Sequence, residues 1–215
     1  MNYPDKQTPA SAKDAHTMRV DLHVHCKERS NCGKSWAEEQ IVAAMNSGLD
    51  AIVFTDHNRL VPDRHLRMFN EKYAPFRIFG GIEVSVEDEH VLVLGVNEPC
   101  IETTIWRYSE LHKFVHERGG YTALAHPFRY RDTINIDLES FPTDAIEVAS
   151  NNTPEEAEGK IRVIASYLGI PVLCNSDSHI CATIGKHYNI VQRVPTDEME
   201  LIHLLRAGEF QCSMS

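Results

Sequence analysis

Six apolar, strand-like runs of this chain end or begin on a side chain able to hold a metal ion. They are Asp21-Leu22-His23-Val24-His25, Thr55-Asp56-His57, Gly81-Ile82-Glu83, Glu89-His90, Ala125-His126-Pro127 and Asn175-Ser176-Asp177-Ser178-His179. Imidazoles and carboxylates at the ends of many strands meet in space only if those strands share one end of a sheet or barrel. The pattern therefore restricts the fold, and its economical explanation is a multinuclear metal site.

Each element alone has a plainer reading. A single His at a strand end is more often a hydrogen-bonded structural residue than a ligand. Asp56-His57 alone reads as a loop start, Asp177-Ser178-His179 as a turn, and Glu83 as a buried, salt-bridged carboxylate. The weight lies in the ordered set.

From residue 19 onward, strand-like and helix-like stretches alternate. Strands are predicted at 19–25, 51–55, 76–84, 90–96, 121–125, 144–149 and 171–175, with a further one at 187–192. Helices are predicted at 36–47, 63–73, 103–118, 154–168 and 196–207. The punctuation agrees. Ser35 is placed to cap the first helix with Glu38 as its box partner, Gly48, Gly119-Gly120 and Gly169 follow helix ends, and Thr153 precedes Pro154. Residues 1–18, polar and containing Pro4 and Pro9, read as a loose tail, and 19–215 as one domain. Repeated strand–helix units imply a parallel α/β core, most simply a barrel. Alternation along the first strand places Asp21, His23 and His25 on one face, and His90 fits the cluster if it opens an antiparallel return strand. Mixed His and carboxylate donors suit Zn²⁺, Mn²⁺ or Fe²⁺ better than Ca²⁺ or Mg²⁺.

A formal net charge of −10 argues against an extended nucleic-acid surface. It does not argue against a small phosphorylated substrate, because bound cations reverse the sign inside a pocket. The six cysteines are scattered with no Cys-x-x-Cys pair. No signal-like or membrane-length apolar run occurs, so a cytoplasmic location with free thiols is expected.

These motifs, in this order from about residue 20 to 191, resemble the PHP superfamily of polymerase and histidinol phosphatase domains, metal-dependent phosphoesterases. The resemblance implies a distorted (βα)₇ TIM-like barrel with two or three divalent metals at its mouth. It implies that His23, His25, Glu83 and Asp177 hold one metal, and that Glu83 bridges to a second completed by His90 and His126. His57 and His179 would hold a third. Family members often supply a further His or Asp soon after the first motif; here Ser30-Asn31-Cys32 stands there, offering an amide or a soft thiolate. Asp21 and Asp56 are expected to orient imidazoles, and Glu147 to face the mouth.

The expected chemistry is attack of metal-activated water on a phosphomonoester or phosphodiester of a small metabolite or nucleotide. His179 or His57 would protonate the leaving group, and Arg129, with Lys34 and Lys186, would contact phosphate. Two other classes compete. A non-catalytic module of the same fold would show eroded ligands, whereas the eight expected ones are present. An amidohydrolase-type enzyme also opens with His-x-His but commonly carries a bridging Lys in mid-barrel, and no Lys ends a strand here.

Overall fold

The fold is given by a computed structural model, described for residues 17–214. The tail expected over 1–18 lies outside the described residues as far as position 16. The chain runs β1 (Met18–Val24), α1 (Ala37–Asn46), β2 (Ala51–Phe54), α2 (Asp63–Tyr73), β3 (Arg77–Val86), β4 (Glu89–Leu94), α3 (Cys100–Thr103), α4 (Tyr108–His116), β5 (Tyr121–Leu124), β6 (Ala145–Ala149), α5 (Glu158–Leu168), β7 (Val172–Cys174), β8 (His187–Val191), α6 (Glu198–Arg206) and β9 (Phe210–Met214). The strands form one sheet in the order β7-β6-β5-β4-β3-β2-β1-β8-β9. β1, β2 and β3 are parallel, as are β5, β6 and β7. β4 runs antiparallel to both β3 and β5. The return strand expected to begin at His90 is thus present, and Ser85 pairs with His90 next to the turn of the β3–β4 hairpin.

The sheet curls into a nearly closed barrel, and its seam closes through the segment after β7. Ser178 donates its amide to the His23 carbonyl and its carbonyl accepts the His25 amide, at 3.3 and 2.9 Å. Side chains complete the seam. Asp21 accepts the Ser176 amide, Asn175 accepts the Leu22 amide, and Asn189 on β8 bonds to both the amide and carbonyl of Cys174. One group of buried side chains draws on the strands around the barrel and on α6: Val20, Leu22, Val53, Leu92, Ala123 and Leu173 pack with Leu201, Ile202, Leu204 and Leu205. The layer between sheet and outer helices holds Ile82, Val93 and Ile146 against Leu111 and Ile161, and Val24, Ile52 and Phe54 against Ile41 and Phe69.

Strict alternation fails in β1. Val20 and Leu22 belong to the barrel interior, yet Val24 packs outward with α1, and the β1–β2 register slips between Asp21 and Val24. The bulge turns His23 and His25 inward together while leaving Asp21 beside Ile52 on the other face. Asp21 therefore does not share the face of the two histidines, and it bonds backbone amides rather than an imidazole.

The helix predicted over 103–118 begins only at Tyr108, as α4, and Thr103 instead ends the short α3. Thr103, Thr104 and Ile105 form a β-branched run unfavourable to helix, and a new start forms where Glu110 accepts the Arg107 amide. α1 begins one residue later than expected. Ser35 is occupied by the Cys181 amide, so Glu39 takes the Trp36 amide and Glu28 reaches across to take that of Ala37. Thr153 likewise bonds Ser150 instead of capping, and a 3-10 turn at Glu155–Ala157 precedes α5. β9 was not anticipated from the sequence.

Candidate metal centre

All eight side chains expected as ligands reach the same end of the barrel. His23 and His25 leave β1, His57 follows β2, Glu83 lies inside β3 and His90 is the second residue of β4. His126 follows β5, and Asp177 and His179 follow β7. His126 and Asp177 are held at positive φ, +25° and +49°, so the chain turns sharply just where each side chain enters the cluster. Such backbone is disfavoured for residues other than glycine and concentrates at functional sites.

Glu83 is the hub. Its Oε1 lies 2.9 Å from His90 Nδ1 and 3.0 Å from His126 Nε2. Its Oε2 lies 2.9 Å from His57 Nδ1, 3.2 Å from His25 Nε2 and 3.4 Å from His23 Nε2. Asp177 Oδ1 stands 3.1 Å from His25 Nε2 and 3.3 Å from His23 Nε2. One carboxylate thus faces two separate sets of imidazoles. Four groupings of donors close enough to share an ion result: His23 with Glu83 and His126, His23 with His25 and Asp177, His57 with Glu83 and His90, and Cys32 with His25, His57 and His179.

The hydrogen-bond network shows that protein groups alone do not satisfy this cluster. His23 Nδ1 lies 3.2 Å from Glu147 Oε1, and His25 Nδ1 lies 3.2 Å from Ser30 Oγ. With a ring N–H on Nδ1 in both residues, the two Nε2 atoms face each other across 3.0 Å, each open to a proton or a cation. Glu83 Oε2 and Asp177 Oδ1 face the same gap, and both are buried oxygens that accept no aligned hydrogen bond despite the nearby nitrogens. Four electron-rich atoms converging on one point are stable only around a positive charge. The donor set fits a divalent transition metal.

The electrostatics agree. Burial opposes charge on His25, but contacts with Asp177 and Glu83 outweigh it and lift its pKa to about 9. His23 is also raised, against burial, by Asp177, Glu83 and Glu147. Burial would raise Glu83, yet the surrounding imidazoles, led by His23, hold it well below the usual carboxylate range. Protons on the histidines supply the positive charge that a cation would otherwise bring. His179 differs: burial and the charge of His25 depress it to about 4, so at neutral pH it offers a lone pair. That suits a metal donor better than a general acid.

Supporting contacts fix the rings. Glu147, on β6, meets His23 Nδ1 and also accepts the His126 amide and the Asn175 side-chain amide. Asp56 takes the Ser30 hydroxyl, which in turn meets His25, and is itself held by Arg29 and the Cys26 amide. Asn152 donates to Asp177 Oδ2 at 2.6 Å, and Gln40 ties the His25 and Ser178 carbonyls together. Sequence reasoning missed Ser30, Gln40 and Asn152. Asn152 follows a strand end, the signal used for the others, whereas Gln40 sits mid-helix and gave none. Glu147→Gln, which keeps shape but loses charge, is expected to weaken metal binding by about 10–100-fold, as measured by competition with a chelator.

Arg129 Nη1 is 3.5 Å from Asp177 Oδ2 at the rim. Lys34 is exposed, with its amide bonded to the His179 carbonyl. Beside His57 and Cys32 opens a groove of about 1210 Å³, lined among others by Lys27, Arg59, Leu60, Pro62 and His65.

Fold and site define a (βα)₇-type barrel with clustered metal donors at its mouth. Residues 155–210, which include Asp177 and His179, match the family model described as PHP-associated. The fold is similar to that of a two-domain protein from Bacteroides vulgatus containing a predicted PHP-like metal-dependent phosphoesterase, with TM-score 0.70 and 15% identity over 92% of this chain and 65% of that one. It is similar to a candidate metal-dependent phosphoesterase from Bifidobacterium adolescentis, with TM-score 0.65 and 15% identity over 87% and 96% of the two chains. An amidohydrolase from Chromobacterium violaceum gives TM-score 0.64 and 16% identity over 89% and 97%. No curated protein matches the sequence. The resemblance to the PHP superfamily seen in the motifs therefore extends to the fold and to the C-terminal family match. Among the described residues, no helix is long and apolar enough to cross a membrane.

Proposed function

We propose that this protein is a metal-dependent phosphoesterase that hydrolyses a phosphomonoester or phosphodiester of a small metabolite or nucleotide. The observation that carries the reading is Glu83, whose two oxygens face two sets of imidazoles while the carboxylate itself is fully buried. Adjacent divalent cations held there would acidify a bound water and neutralise charge on phosphoryl oxygens. Ligation falls to His23, His25, His90, His126 and Asp177 around Glu83, with His57 and His179 on the outer side.

The remaining roles belong to the rim. Arg129, beside Asp177, is placed to grip a phosphoryl oxygen bidentately. The groove past His57 would receive the alcohol part of the ester, with Leu60 and Pro62 against its apolar portion and Lys27 and Arg59 near further anionic groups. His57 is half-buried between cluster and groove, so a cation it holds would face the alcohol part of the ester.

The amidohydrolase likeness in fold suggests a second reading, hydrolysis of a C–N bond. It is weakened by the strands themselves, since among the described residues no lysine ends one to bridge two ions in mid-barrel. Elemental analysis of the purified protein should show at least two equivalents of transition metal. Hydrolysis of an aryl phosphate should be abolished by EDTA and restored best by Mn²⁺ or Zn²⁺. Less than one equivalent after reconstitution, with no turnover, would reject the enzyme.

A further inference from the structure

We propose that the Cys32 thiolate is a ligand of the outer cation, together with His57 and His179, so that this chain's outer site is a sulfur-containing one unlike the carboxylate-bearing sites around Glu83. The proposal rests on the metal-dependent reading above. One ring nitrogen from each of His25, His57 and His179, and Cys32 Sγ, all lie within 4.8 Å of one another. Donors around a tetrahedral Zn²⁺, at about 2.0–2.3 Å from the ion, stand roughly 3.3–3.8 Å apart. The observed spread needs only small side-chain adjustment to reach that arrangement.

Cys32 is held in place by backbone. Ser30 donates its amide to the Cys26 carbonyl at 2.9 Å, Gly33 donates to the Ser30 carbonyl at 2.9 Å, and Lys34 donates to the His179 carbonyl at 2.7 Å. The loop bearing the thiol is thus tied directly to the residue bearing one of its partner imidazoles. Gly33 makes the fit possible, since a Cβ there would stand 2.5 Å from the Cys26 carbonyl carbon and 2.6 Å from its oxygen. The neighbouring Cys26 serves the supporting network instead, where its fully buried thiol donates to Asp56 Oδ2.

His25 is already committed, with Nδ1 on Ser30 and Nε2 on Glu83 and Asp177. Setting His25 aside, Cys32, His57 and His179 give three protein donors. His57, whose Nδ1 also lies 2.9 Å from Glu83 Oε2, stands between this site and the Glu83 set. One position of a four-coordinate ion stays open, the ligand count of catalytic rather than structural zinc. Cys32 and His57 both line the groove. No carboxylate joins this set, and thiolate with imidazole favours Zn²⁺, Co²⁺ or Fe²⁺ over Mn²⁺. Binding replaces the thiol proton by the cation and releases that proton to solvent.

Co²⁺ added to the metal-stripped protein provides the test, because a thiolate–cobalt bond gives a near-ultraviolet charge-transfer band that imidazole and carboxylate do not. The native chain should show this band. Cys32→Ser should lose it and bind one equivalent less. Cys32→His should regain the equivalent without the band, which separates ligation from a folding defect. Gly33→Ala, with Cys32 intact, should weaken the band by displacing the loop. At least two bound equivalents without the band, or a band that survives Cys32→Ser, would overturn the thiolate and leave the phosphoesterase reading standing. Failure to bind Co²⁺ at all would overturn both.

Discussion

Replacing Glu83 by alanine is expected to remove more than one equivalent of bound metal and to reduce phosphoester hydrolysis to background. The expectation follows from the two-sided geometry of a single carboxylate, Oε1 toward His90 and His126 and Oε2 toward His23, His25 and His57. Losing an ordinary ligand weakens one site, whereas losing a bridge weakens every site it joins and removes the negative charge that lets the cations lie close together. The variant also leaves buried imidazoles without their counter-charge, so folding must be monitored by circular dichroism. Glu83→Gln keeps the volume and one acceptor oxygen, and should retain more metal than the alanine variant. Loss of only a single equivalent from Glu83→Ala would show that the carboxylate serves one ion and that the two sets of imidazoles act separately.

The second large effect concerns pH. His25 is raised from 6.5 to about 9, so in metal-stripped protein its charged form contributes stability that is complete below pH 6.5 and lost as pH climbs through 9. His23, also raised, acts in the same direction. A shift of this size corresponds to stabilisation on the order of 3 kcal/mol, which for a domain of this length is about 6–12 °C in Tm. Cations need the neutral imidazole, so their binding strengthens over the same interval. The stripped protein should therefore lose thermal stability between pH 6.5 and 9 while the metal-saturated protein holds its own, and the Tm gained on adding metal should widen. A gain that is constant or shrinks as pH rises would mean that His23 and His25 are not the groups the cations deprotonate. Asp21, lifted by burial to about 7, lowers stability as pH rises toward 7, so the window above pH 7 isolates the histidines best.

Much of the site could be read in the sequence because strand ends are marked twice, by an apolar run and by the polar residue that stops it. That double mark located Glu83, His126 and Asp177 on three separate stretches of chain, and the turn at Val86–Glu89 explained His90. What could not be read has identifiable causes. The bulge in β1 breaks a period of two without any sequence signature, which is why Asp21 was assigned to the wrong face. Gln40 and Ser30 act through hydrogen bonds to groups on other chain segments, and no local pattern encodes such partners. Ser35 and Thr153 are sound capping residues by local rules, but the Cys181 amide occupies the first and the Ser150 hydroxyl the second.

Residue type and order alone determined that a (βα)-repeat barrel would carry imidazoles and acids at one rim, since these depend on local periodicity and on chemistry each side chain brings with it. Only the tertiary structure decided how those groups face one another. Glu83 standing between two sets of imidazoles, Glu147 behind His23, and Cys32 beside His179 are distances between chain segments, set by barrel curvature and by the seam after β7.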